Sequence, residues 1–85
     1  MALSVSLVSA EQEVWSGEAR LVSARTTEGE IGILAGHEPL LAVLGAGAVR
    51  ITLETGDSIS AVAEDGFLSV EHDTVTIVAR QAALT

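Results

Sequence analysis

The 85-residue chain has no cysteine and no lysine, and its only aromatic residues are Trp15 and Phe67. Without cysteine there is neither a disulfide framework nor a thiolate metal site, so packing and backbone hydrogen bonds must hold the fold together. Without lysine, a phosphate loop of the GxxxxGK[ST] type has no residue to supply its cation. Two aromatics leave little stacking surface, which argues against a free-standing carbohydrate-binding or adhesion module. Basic charge is scarce: four arginines stand against twelve acids, for a formal net charge of −8. Phosphate backbones and anionic membrane surfaces therefore repel the chain, and nucleic acid is excluded as a partner.

Long apolar runs are missing too. No stretch approaches the roughly 18 consecutive apolar residues of a membrane span. The amino terminus, MALSVSLVSAEQE, lacks both the basic start and the unbroken apolar core of a signal peptide. The expectation is a soluble, unexported chain without direct lipid insertion. The length predicts a single domain over residues 1–85, small enough that folding buries only about 60–65% of the surface exposed by the unfolded chain. A core this thin gains from a partner.

The residues that are present favour strands. The apolar 48% of the chain is mostly Ala, Val, Leu and Ile, a composition that orders and that suits β-structure. Leu3, Val5 and Leu7 alternate with Ser4 and Ser6, the period of a strand with one buried face. Ser9 and Gln12 have the spacing of a capping box, but no helical run follows them, so the chain is expected to bend into a second strand at Val14-Trp15-Ser16-Gly17. In the next segment Val22, Ala24 and Thr26 share one face, and Leu21, Ser23 and Arg25 share the other. Thr27-Glu28-Gly29 closes it. Ile31-Gly32-Ile33-Leu34 reads as a strand interrupted by a bulge or close approach at Gly32. Pro39 to Leu44 is apolar throughout, so periodicity leaves strand and helical turn open, and Gly45-Ala46-Gly47 is expected to end it.

Beyond that point Val49, Ile51 and Leu53 alternate cleanly, and turns are predicted at Thr55-Gly56-Asp57, at Asp65-Gly66 and at His72-Asp73-Thr74. Phe67–Glu71 and Val75–Ala79 pair across the last of these, and Arg80 onward has helix-forming residues without the length of a helix. Short strands with a turn every eight to twelve residues predict an all-β sandwich or barrel.

Signals for chemistry are sparse. GxGxxG, HExxH and GxSxG are absent. His37 and Glu38 are adjacent within Gly36-His37-Glu38-Pro39, and a small metal-binding protein or enzyme using them, with His72, is the alternative to a docking role. Neighbouring side chains diverge in an extended segment, however, and no third ligand is evident. His72, beside Asp73, reads as a solvated turn residue. Glu28 and Glu30 share a face but sit at a glycine-rich loop tip, which makes them solvated acids or a docking point. Gly29, Gly32 and Gly36 could cradle an anion, but without a helix start or a cation they read as turn and bulge residues.

Six segments in order carry a family resemblance: Val8-Ser9-Ala10-Glu11-Gln12, Ser16-Gly17, Glu28-Gly29-Glu30-Ile31-Gly32-Ile33, Gly36-His37-Glu38-Pro39-Leu40-Leu41, Gly66-Phe67-Leu68-Ser69-Val70 and Val75-Thr76-Ile77-Val78-Ala79. Together they resemble the epsilon subunit of the bacterial-type rotary ATP synthase. The resemblance implies an all-β fold, a flattened β-sandwich of about ten short strands. It also implies a non-catalytic place at the foot of the central stalk, bound to the gamma subunit and resting on the c-ring, peripheral on the cytoplasmic side of a bacterial plasma membrane. Glu30 matches the acidic position that meets the c-ring loops, flanked by Gly29, Ile31 and Gly32. Ser9, His37 and Ala42 match positions facing gamma, with Leu40 and Leu41 beside them. No cofactor or metal is implied.

Two departures qualify the match. Ala35 stands where the family commonly has proline, which implies a less rigid loop before Gly36. The sequence stops at Thr85, where the family usually continues into two α-helices that carry inhibition and, in some members, a nucleotide site. No nucleotide is expected on these residues without those helices.

Overall fold

The computed structural model describes residues 2–85, and every regular element in it is a strand. The strands are β1 (Leu3–Ser9), β2 (Glu13–Ala19), β3 (Leu21–Thr26), β4 (Gly29–Leu34), β5 (Leu40–Thr52), β6 (Ser58–Glu71) and β7 (Thr74–Leu84). They form one hydrogen-bonded sheet in the order β2-β1-β7-β6-β5-β3-β4. All pairs are antiparallel except β1 with β7.

A single cluster of buried apolar residues draws on all seven strands, from Leu3, Val5 and Leu7 of β1 through Ile33 of β4 to Ile77 and Ala79 of β7. One continuous sheet can turn one face of every strand toward a common core only by folding over on itself, so the architecture is a two-layered sandwich. Its extents of 29 × 23 × 19 Å give it a flattened shape.

The fold-over is written into the three longest strands. In β5 the inward residues are Leu40, Ala42 and Leu44, then Val49 and Ile51, a change from even to odd positions. In β6 they are Ala61 and Ala63, then Leu68 and Val70. In β7 Val75, Ile77 and Ala79 are followed by Ala82. Pairing lapses at one level across all three, between Val43↔Phe67 and Gly47↔Ala63 and between Glu64↔Gln81 and Gly66↔Ala79. The unpaired stretches are equal in length on paired strands, residues 44–46 opposite 64–66 and Asp65 opposite Arg80, so the alternation flips on neighbouring strands together. These aligned breaks form a corner.

The corner explains where the sequence reading went astray. Gly45-Ala46-Gly47 does not end β5, and Asp65-Gly66 is no turn: both lie at breaks in pairing inside strands that continue. The seven continuous strands replace the expected ten or so, although the halves of the three bent ones, counted separately with the four others, again make ten extended segments. Leu40–Leu44 is a strand, and the chain after Arg80 continues as strand to Leu84. Gly32 carries no bulge, since β3 and β4 stay in register from Leu21↔Leu34 to Thr26↔Gly29. It occupies the exposed side of an edge strand, where the missing side chain leaves the ladder intact.

The turns follow local chemistry. Ser9 Oγ accepts from the amides of Glu11 and Gln12 at 3.4 and 3.3 Å and donates to the Gln12 carbonyl at 3.1 Å, a serine-stabilised turn in place of a helix cap. Trp15 points inward opposite Leu7, and its ring lies 3.0 Å from where a Cβ on Gly17 would stand. The two-residue turn between β6 and β7 holds His72 at φ 49° and Asp73 at φ 58°, the pair of positive φ values that a type I′ hairpin demands and that Asn adopts more readily than His. Replacing His72 with Asn is therefore expected to stabilise the domain by roughly 0.5–1 kcal/mol, to be read as a raised urea midpoint with an unchanged slope.

Candidate functional site

The corner divides the outer surface into two faces. On the face formed by β2, β1 and the adjoining halves of β7, β6 and β5, the strand register aligns Val43 with Phe67, Phe67 with Val78, and Val78 with Val8. Four apolar side chains thus cross the sheet in one outward row. Leu41 lies in the next row, beside Ser69, Thr76 and Ser6. Leu41, Val43 and Phe67 are 71%, 60% and 45% exposed, respectively. Isolated apolar residues on a surface need no explanation, but a contiguous row on a chain of net charge −8 is a candidate interface. An aromatic flanked by branched aliphatics is what the buried centre of a protein interface is made of.

Ser9 and His37 bracket this face at opposite ends. Ser9 closes β1 beside Ala79, whereas the Gly36–His37 turn is held at the other end by Gly36 N donating to Asp73 Oδ1 at 2.7 Å. The β1/β7 pair runs from Ser4↔Thr74 to Ser9↔Ala79, a separation of about 16 Å at ~3.3 Å per residue. Of the expected docking residues on β5, only Leu41 faces outward. Leu40 is half-buried against the core, and Ala42 shares its inward side. Val43 and Phe67, not among the docking residues expected from the sequence, are turned outward by the alternation within β5 and β6.

His37 and Glu38 do not converge. His37 Nδ1 is 2.8 Å from the Glu38 backbone carbonyl, so the ring donates to the backbone and leaves the exposed Glu38 carboxylate apart. Among the described residues no group of three or more His, Cys, Asp or Glu side chains is placed to hold a metal ion. His72 sits in the β6–β7 turn, whose Asp73 accepts from Gly36 N at 2.7 Å, and it forms no metal-binding group there.

The second candidate region is the β3–β4 hairpin tip. Glu28, Gly29, Glu30 and Gly32 are exposed, Ile31 packs on the core, and Glu30 stands opposite Arg25 in the ladder. Thr27 N donates to the Val43 carbonyl at 3.0 Å, fastening the tip to the strand that carries Leu41 and Val43. A shallow groove runs between tip residues 26–31 and strand residues 40–43, so the two candidate regions adjoin.

Comparison with known proteins points to one assembly. The family model described as ATP synthase, Delta/Epsilon chain, beta-sandwich domain matches residues 2–85. The ATP synthase epsilon chain of Micrococcus luteus is 54% identical over 82 residues, covering 96% of this chain and 90% of the relative. That of Frankia casuarinae is 49% identical over 85 residues, with both chains covered completely. Among solved structures, a chain of the Euglena gracilis mitochondrial ATP synthase, in an OSCP/F1/c-ring assembly, superposes with a TM-score of 0.92 at 27% identity. The match covers 98% of this chain and 53% of that one, so this chain spans about half the length of its Euglena counterpart. A chain in the Tetrahymena thermophila central stalk and c-ring structure shares the fold, with a TM-score of 0.77 at 18% identity over 96% of this chain and 66% of that one.

Proposed function

Because the chain belongs to the Delta/Epsilon-chain family of ATP synthase, in its beta-sandwich domain, we propose that residues 1–85 are a stalk-docking domain that grips the gamma subunit with the Val43–Phe67 face and meets the c-ring loops with the Glu28–Glu30 tip. The chain is an epsilon subunit, a non-catalytic component of the ATP synthase central stalk. It serves a membrane-borne complex, although no helix among the described residues is long and apolar enough to cross a membrane. Its place is peripheral, on the cytoplasmic side of a bacterial plasma membrane, in keeping with relatives from Micrococcus and Frankia. Proton flow turns the ring, the docked stalk turns with it, and ATP forms on other subunits.

The observation that carries this reading is the outward row Val43, Phe67, Val78 and Val8, with Leu41 beside it. A small domain with an all-aliphatic core recovers stability by covering such a row with a partner. Ser9 and His37 at its ends, with Leu40 and Ala42 on the inner side of β5, are the further gamma-facing positions that the family resemblance implies. At the tip Glu30, flanked by Gly29, Ile31 and Gly32, presents a carboxylate to polar loops.

The tip reading has a direct test in the assembled synthase. Glu30→Lys is expected to lower proton-driven ATP synthesis about three- to fivefold, on the ~1 kcal/mol scale of one exposed charge contact. ATP hydrolysis by the detached catalytic head should be unchanged. Equal losses in both assays would rule out docking to the ring.

A further inference from the structure

The one buried polar side chain among the described residues, Thr26, lies directly behind the docking tip, at 9% exposure. Its Oγ1 donates to the Gly29 carbonyl at 2.8 Å and accepts from the Glu28 amide at 3.1 Å. One hydroxyl thus closes the turn from both sides, supplying the donor and the acceptor that the reversing backbone lacks. Gly29, at φ 121°, has the conformation this closure imposes. On the opposite side the Thr26 carbonyl lies 3.2 Å from the point a Cβ on Gly45 would occupy, so the corner of β5 is seated against the same residue. The neighbouring amide, Thr27 N, bonds to the Val43 carbonyl.

We propose that Thr26 is a positioning residue for ring docking: its hydroxyl fixes the Glu28–Glu30 tip in a single conformation, and the Thr26–Thr27 backbone joins the tip to the gamma-facing strand as one rigid piece. The inference rests on the docking reading above and adds to it. A tip ordered before contact avoids the entropy of ordering on contact, which otherwise weakens binding. In a rotor, a tip clamped to the strand that grips gamma also passes ring motion to the stalk without slack. A valine at this position has the shape of threonine and lies on the same inward face as Val22 and Ala24, yet it cannot make either hydrogen bond. A serine retains both.

The test compares Thr26→Val, Thr26→Ser and Glu30→Lys in the complete synthase in membrane vesicles, with amide exchange measured on the 85-residue chain. Thr26→Val is expected to accelerate exchange of the Glu28 amide about fivefold or more, the protection given by a hydrogen bond of ordinary net strength. It should lower proton-driven ATP synthesis at least about twofold while ATP hydrolysis and affinity for purified gamma stay within about twofold of wild type, as for a loss confined to tip order. Thr26→Ser should behave as wild type in all four measurements. Unchanged exchange or unchanged synthesis in Thr26→Val, with synthesis lost in Glu30→Lys, would overturn the positioning role and leave ring docking standing. Loss of gamma affinity in Thr26→Val would assign the residue to general stability instead. If Glu30→Lys leaves synthesis intact, ring docking falls and the positioning role falls with it.

Discussion

Gly66→Ala is expected to unfold the domain at temperatures where the wild-type chain is stable. A Cβ on Gly66 would stand 2.5 Å from Ala79 Cα and 2.7 Å from the Val78 carbonyl carbon, with the Val78 carbonyl oxygen closer still. These are backbone atoms of the paired strand, held by the β6–β7 ladder on either side at Glu64↔Gln81 and Phe67↔Val78. No rotamer change relieves the clash, so β7 must leave β6 at the corner. Overpacking of ordinary cores costs about 1–3 kcal/mol and more where the backbone must move, and the expected loss here is about 3 kcal/mol or more. In a domain of this size that lowers the thermal midpoint by at least about 12 °C. Gly32→Ala is the control, because the nearest atom to its added Cβ, Leu21 Cδ1, is 3.8 Å away, and its midpoint should move by no more than a few degrees. Thermal melts followed by circular dichroism would expose the error if Gly66→Ala lost less than about 1 kcal/mol.

Phe67→Asp carries the largest expected effect on assembly. Phe67 is already 45% exposed and points away from the core, so the isolated domain should keep its stability to within about 1 kcal/mol. Covered by gamma, the same carboxylate would be buried without a partner, at a cost of roughly 3–5 kcal/mol. The dissociation constant should therefore rise at least about 100-fold, since each 1.4 kcal/mol is a factor of ten. Val43→Asp is expected to follow it. Leu40→Asp is a poor probe of the same face, because Leu40 packs on the core, and a charge there would damage the fold before it reported on binding. Titration of purified gamma by calorimetry separates these cases, provided each variant's melt is recorded first. Wild-type affinity in Phe67→Asp would remove the apolar row from the interface.

Most of the strands were legible because alternation is a local property. Leu3, Val5 and Leu7, the face shared by Val22, Ala24 and Thr26, and the pair Val49 and Ile51 are all buried as the period-2 pattern predicts. The corner was not legible. Gly45-Ala46-Gly47 and Asp65-Gly66 have the residues of turns, and the same residues serve bends inside a strand. Which one forms depends on whether the neighbouring strand bends at the same level, and Arg80, which completes the column, lies far along the chain.

The site divides in the same way. The Glu28–Glu30 tip stood out as charge on a glycine-rich turn within a single short segment. The apolar row did not, because Val8, Val43, Phe67 and Val78 are brought together only by the order β1-β7-β6-β5. Ser9, His37 and Ala42 came from family resemblance, and their placement at the ends and inner side of the face follows from register and alternation. Thr26 was visible as a polar residue on an apolar face, but its bonds to Gly29 and Glu28 depend on how the hairpin closes.

The most direct test of gamma docking is residue-level mapping of the contact in solution: amide chemical shifts of the labelled 85-residue chain recorded as purified gamma is added. The changes should concentrate on Val8, Leu41, Val43, Phe67 and Val78, with little response at Ala48, Val62 and Ala83, which form the outward row on the other side of the corner. A response centred on Ala48, Val62 and Ala83, with the Val43–Phe67 row unmoved, would contradict the docking face proposed for this subunit.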